Sequence, residues 1–151
     1  THRRSSAASD VYKRQLSWAE EIGGIEALLK RVDTSFAHFM DWVGASPHFE
    51  VLARDPATIS PTALCLVISD DWFTAQPDEV QAGVVKSMLA LLEAEDVAVD
   101  INAYRDAPTG LRIWGGPTVD PEDIASLLPW LAWAYETVRA DLQDGSPHGD
   151  G

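Results

Sequence analysis

The chain has 151 residues, of which 46% are hydrophobic and 23% charged, enough apolar material for one domain with a core and too much for wholesale disorder. Its net charge of −13 repels phosphate backbones and anionic bilayers, so we expect no nucleic-acid partner and no membrane partner. No apolar run approaches the roughly 20 residues of a membrane span. The single cysteine, Cys65, cannot form an internal disulfide, which favours a cytoplasmic location.

The first fifteen residues differ in composition from the rest. They hold four of the 11 basic residues and one of the 24 acidic ones, with no apolar segment of the kind a secretory signal needs. The stretch SSAASDVYKRQ, residues 5–15, resembles translated sequencing-adapter sequence, and a basic transit peptide is the alternative. We predict that residues 1–15 are a non-native leader and that the native chain continues upstream.

Residues 16–44 are predicted to form linking helices. Gly23 and Gly24 end the first helix, as glycines do where a left-handed backbone is needed. The second helix is predicted over Ile25–Val43, because its apolar residues recur every three or four positions: Ile25, Leu29, Val32, Phe36, Phe39 and Val43.

Residues 45–143 are predicted to form a small domain, followed by a flexible tail over 144–151. The expected elements are an irregular Ser46–Ser60, a strand Thr62–Ile68 buried on nearly both faces, a turn Asp70–Ala75, a helix from Pro77 to Glu95, strands Val97–Ala103 and Leu111–Trp114, and a helix from Asp120 to Leu142 whose buried face includes Tyr135. Three strands with the later helices on one face predict a two-layer α+β sandwich.

The side-chain chemistry points to arginine rather than to a metal or a nucleophile. The four histidines and single cysteine lack ligand spacing, so we expect no metal. Cys65 is expected to be buried and inert and His48 to be solvated. Alternation along the last strand predicts that Leu111 and Ile113 face the helices while Arg112 faces away, where a planar guanidinium suits a carboxylate.

Arg105 precedes that strand and is a candidate for a second contact with an anion. The alternative reading is structural, with Arg112 paired to a local carboxylate such as Asp100 or Asp106.

Four stretches resemble the C-terminal end of the phosphoserine aminotransferases, in family order. They are LSWAEEIGGIEALLKR (16–31), DPAT with the strand that follows it (55–66), DINAYRDAP (100–108) and GLRIWGGPTV (110–119), which the final helix follows. The resemblance implies the small C-terminal domain of a fold type I pyridoxal-phosphate (PLP) enzyme, preceded by a long linking helix. It also implies a homodimer, and amino-group exchange between glutamate and 3-phosphohydroxypyruvate in serine biosynthesis.

The resemblance also assigns site residues. It implies that Arg112 binds the substrate α-carboxylate, and that Arg105 contacts the phosphate or side-chain carboxylate, although Tyr104 stands where other branches have histidine. The lysine that forms the Schiff base is not matched by Lys30 or Lys86. The chain is therefore expected to contribute no catalytic or cofactor-binding residue, and to be inactive alone as a fragment.

The sequence leaves two other functions open. One is a free-standing regulatory α+β domain that binds a small amino or keto acid. The other is a fold type I aminotransferase acting on alanine or glyoxylate, since an α-carboxylate arginine would serve that substrate equally well.

Overall fold

A computed structural model describes residues 3–97, 101–103 and 109–145. The helices are α1 Arg3–Glu21, α2 Gly24–Ala45, α3 Asp71–Thr74, α4 Asp78–Ala94 and α5 Pro121–Gln143. The strands are β1 Phe49–Val51, β2 Ala63–Ile68, β3 Ile101–Ala103 and β4 Gly110–Trp114. None of the helices in these ranges has the length and apolar character that crossing a bilayer requires.

The four strands form one antiparallel sheet in the order β1-β2-β4-β3. Strand β4 pairs with β2 on one side and β3 on the other, so Arg112 lies in register with Cys65 and with Asn102. Pairing on both sides fixes which residues of β4 face the helices, because a slip of one position would invert every side chain.

The helices pack on one face of this sheet. Helix α5 lies between α2 and α4 and contacts both, and α2 also contacts β1. Side chains from both layers meet in a continuous core that includes Phe39, Leu64, Met88, Ile113 and Leu128, each no more than 1% exposed. Burial of each such side chain contributes about 1.5–3 kcal/mol. The structure confirms the predicted two-layer α+β class.

The prediction of three strands is wrong, because the sheet has a fourth. Strand β1 lies within the segment expected to be irregular, and pairs with β2 through the register Glu50 to Val67. A three-residue strand shows no periodicity of its own, so it forms only because β2 supplies its hydrogen-bond partners. The turn predicted at Asp70–Ala75 contains the one-turn helix α3.

Two further boundaries differ from the expectation. Strand β2 alternates between buried and half-buried residues, so only one of its faces is in the core. The Val97 amide donates to the Leu92 carbonyl at 2.9 Å, so Val97 belongs to the turn that follows α4 rather than to a strand. Residues 98–100 lie outside the described ranges. Helix α1 continues without a break through Gln15, where the predicted leader ends. The division of the chain into domains stays a prediction.

Candidate functional site

The sheet face that points away from the helices carries the predicted site. We define this open face by its half-buried and exposed residues, which are Glu50, Ala63, Cys65, Val67, Arg112 and Trp114. No helix among the described residues covers it. A mostly apolar surface with one guanidinium at its centre suits a ligand that combines a carboxylate with a short carbon chain.

Arg112 takes the orientation that alternation predicts. Leu111 and Ile113 are each 1% exposed and pack under the helices, whereas Arg112 is exposed on the open face. Within the described residues the side chain of Arg112 forms no hydrogen bond or ion pair. Arg105 and the two aspartates considered as alternative partners, Asp100 and Asp106, lie outside the described ranges.

Cys65 is the cross-strand neighbour of Arg112 on β2. The expectation that it is buried is wrong: the residue is half-buried and its thiol contacts the Ala63 carbonyl oxygen at 3.6 Å. The expectation failed because β2 has only one face in the core.

Gly115 and Gly116 serve packing around the end of β4. The Gly115 amide donates to the Thr62 carbonyl at 2.8 Å, which extends the pairing of β4 with the chain before β2. A Cβ atom at Gly116 would lie 2.5 Å from the Trp114 ring, so only glycine allows the indole to lie against the backbone there. Gly116 thereby leaves room for the ring of Trp114, which lies two residues from Arg112.

A cleft of about 520 Å³ lies on the β1 side of the sheet. The residues that line it include Glu50, Leu52, Arg54 and Thr109. Thr109 directly precedes β4, so the cleft places Arg54 on the side of the sheet where β4 begins. Sequence reasoning did not single out Arg54, because it lies outside any periodic segment.

A second group of polar side chains lies on the helical side of the sheet, where β1, β2 and α5 meet. We call it the polar cluster, and it consists of His48, Asp70, Tyr135, Glu136 and Arg139. The Tyr135 hydroxyl donates to Asp70 Oδ2 at 2.5 Å, and Arg139 Nη1 lies 3.4 Å from the same oxygen. His48 Nδ1 is 3.9 Å from Asp70 Oδ1, and its Nε2 is 3.5 Å from Glu136 Oε1. His48 is therefore not solvated as expected, because β1 places it against α5.

Asp70 directs its carboxylate towards α5 and away from its own helix. It occupies the N-cap position of α3, where aspartate usually accepts a hydrogen bond from the first turn, but its side chain makes no such bond. It accepts from Tyr135 instead. The polar cluster therefore ties the end of β2 to the middle of α5.

Burial raises the pKa of Tyr135 well above the ordinary value for tyrosine, and the hydrogen bond to Asp70 and its negative charge raise it further. In the folded protein Tyr135 keeps its proton at a pH where the unfolded chain loses it. The stabilisation is thus complete below about pH 10, the unfolded value, and declines as pH rises above it.

Tyr135→Phe is expected to remove this alkaline dependence. Above about pH 10 the unfolding free energy of the unmodified chain should fall by about 1.4 kcal/mol per pH unit relative to that of the variant. Urea unfolding curves recorded for both proteins between about pH 8 and pH 11 measure the difference. Tyr12→Phe is the matched control, because that tyrosine is exposed. Parallel stability curves for the unmodified chain and Tyr135→Phe would contradict the assignment.

The residues of this chain do not fit the covalent anchoring of PLP. A Schiff base needs a lysine whose amine is directed into a site. The three lysines, Lys13, Lys30 and Lys86, all lie on exposed helix surfaces. None of them lines the 520 Å³ cleft or borders Arg112 on the sheet.

A solved protein structure shares the fold of this chain. The crystal structure of mouse CSAD in its apo form superimposes on 78% of this chain with a TM-score of 0.54 and 16% identity, covering 26% of that chain. At this level of identity the likeness shows that the two chains share a fold. No protein-family model matches the chain.

The sequence relatives are more specific. Phosphoserine aminotransferase from Methanosarcina mazei is 34% identical over 135 residues, which is 89% of this chain and 34% of that protein. The enzyme of the same name from Methanosarcina barkeri is 35% identical over the same extent. The predicted resemblance to phosphoserine aminotransferases is therefore confirmed over most of the chain, which spans about a third of the length of these relatives.

Proposed function

We propose that the chain forms the C-terminal part of a phosphoserine transaminase, which exchanges an amino group between glutamate and 3-phosphohydroxypyruvate. The observation that carries this proposal is the exposed guanidinium of Arg112 on the open face, inside the GLRIWGGPTV stretch through which the chain resembles that family. Residues 16–44 would link this part to a cofactor-binding domain, and residues 45–143 would form the small domain. The complete enzyme is proposed to be a cytoplasmic homodimer.

Arg112 is proposed to bind the α-carboxylate that both the amino donor and the keto acid carry. Its planar fork offers two parallel hydrogen bonds to a carboxylate, and this two-point contact fixes the orientation of the adjacent α-carbon. A chain with a net charge of −13 attracts anions poorly as a whole, so a local guanidinium must supply the affinity. Arg105 is proposed to contact the distal phosphate or side-chain carboxylate.

The proposed cofactor of the complete enzyme is PLP, which serves as the electron sink in amino-group transfer when it is bound. Because no lysine of this chain fits its attachment, we assign to the chain substrate binding only. On α2, Ile25 is 72% exposed and Leu29 is 59% exposed. Such exposed apolar side chains support the proposal that further parts of the enzyme pack against this chain.

The test compares the chain alone with a chimera. The purified chain, mixed with PLP, is expected to show no imine absorption band and no transamination. Residues 16–143, placed in the phosphoserine aminotransferase of Methanosarcina mazei in exchange for its corresponding C-terminal third, are expected to give an active enzyme with glutamate and 3-phosphohydroxypyruvate. A folded chimera that binds PLP and yet fails to convert this pair would contradict the proposed function, as would an imine band with the chain alone.

A further inference from the structure

A second cleft, of about 390 Å³, lies where the end of β4 meets the start of α5 and the end of α4. Its walls are mainly apolar and include Val97 and Leu127. Trp114 and Trp130 line it with indole rings, and Asp96 and Asp123 line it with carboxylates. We call it the aromatic cleft. Arg112, which is proposed to bind substrate, is not among the described residues that line it, so the inference drawn from this cleft is separate from the proposed function.

The two tryptophans are held in place although they are exposed. Trp114 is 40% exposed and Trp130 is 36% exposed, which leaves part of each indole open to a ligand. The Trp114 ring rests against Gly116, and Trp130 makes an edge-to-face contact with Trp133, with ring centroids 5.3 Å apart. Rings fixed in this way lose little conformational freedom when a ligand arrives, which favours binding.

The carboxylates give the aromatic cleft a negative charge. Within the described residues, Asp96 and Asp123 form no ion pair and no basic side chain lines the cleft. On its other side Asp123 borders a separate cleft that Arg14 and Arg31 line, so Asp96 is the carboxylate that belongs to the aromatic cleft alone. Indole faces and carboxylates both attract cations, whereas the apolar walls attract hydrocarbon.

We propose that the aromatic cleft binds a small organic cation with an apolar body, of the alkylated ammonium class. A metal ion would leave the apolar walls unused, and a neutral hydrocarbon would leave the carboxylates unused. An alkylated ammonium group satisfies both, because its charge is spread over methyl groups that also contact the indole faces.

The experiment uses choline and its uncharged isostere 3,3-dimethylbutan-1-ol, at constant ionic strength. The six tryptophans provide six indole N–H signals in a ¹⁵N–¹H spectrum of the whole chain. Choline is expected to shift the signals of Trp114 and Trp130 saturably and to leave that of Trp42 in place. The isostere is expected to bind at least about fivefold more weakly, since it lacks the charge.

Matched variants identify the carboxylates. Asp96→Asn is expected to weaken choline binding about fivefold, while Glu95→Gln, which changes the neighbouring carboxylate outside the cleft, leaves it unchanged. Asparagine suits this position because Asp96 has a φ of +57°. In a second matched pair, Asp123→Asn is expected to weaken choline binding, while Glu122→Gln leaves it unchanged. Equal binding of choline and the isostere, unchanged binding by both asparagine variants, or the absence of shifts at Trp114 and Trp130 would each overturn the proposal.

Discussion

In the chimera, Arg112→Lys is expected to raise the KM for 3-phosphohydroxypyruvate by about 10- to 100-fold, since a bidentate hydrogen bond between charged groups contributes roughly 1.5–3 kcal/mol. Lysine keeps the positive charge but presents a point charge in place of a planar fork. The KM for glutamate is expected to rise as well, because both substrates carry an α-carboxylate. Steady-state kinetics with each substrate varied in turn measure the two effects.

Arg139→Lys is the matched control for this prediction. It makes the same chemical change on the helical side of the sheet, where Arg139 lies beside Asp70. Its KM values should equal those of the unmodified chimera. If Arg112→Lys changed neither KM, Arg112 would have no part in substrate binding, and the structural role considered for it would be favoured.

The orientation of Arg112 was predictable because it depends on a local rule. Side chains on a strand alternate, and the apolar pair Leu111 and Ile113 identifies which face lies in the core. The same rule fails for β2, where apolar residues occupy both faces, so that the sequence predicts burial for Cys65 and Val67 although they lie on the open face. The sequence of a strand therefore predicts which residues are buried only where its two faces differ in polarity.

Strand β1 and the polar cluster were not predictable, because both depend on contacts between distant parts of the chain. Asp70 and Tyr135 are 65 positions apart, and no local spacing joins them. One signal was available: Tyr135 lies on the apolar face predicted for α5, and a buried tyrosine hydroxyl usually finds a hydrogen-bond partner. That rule predicts an acceptor, but only the pairing of β1 with β2 identifies which residues surround it.

Asp70→Ala is expected to lower the unfolding free energy by about 3 kcal/mol. The change removes the hydrogen-bond acceptor of the buried Tyr135 hydroxyl and the negative charge beside the partly exposed Arg139. Tyr135 is 0% exposed, so its hydroxyl would lose its hydrogen bond to Asp70 in a buried position. Arg139, about one-third exposed, would retain partial hydration and so add less to the loss. For a chain of this length the change corresponds to a melting temperature about 6–12 °C lower.

Two further variants separate this effect from a general loss of charge. Asp71→Ala changes the adjacent exposed carboxylate and is expected to cost less than about 1 kcal/mol, the usual contribution of an acidic residue in the first turn of a helix. Adding Tyr135→Phe to Asp70→Ala is expected to recover part of the loss, because the double variant leaves no hydroxyl without a partner. If the two single changes were additive in urea unfolding, the hydrogen bond between Asp70 and Tyr135 would not contribute to stability, and β2 would be held to α5 by apolar packing alone.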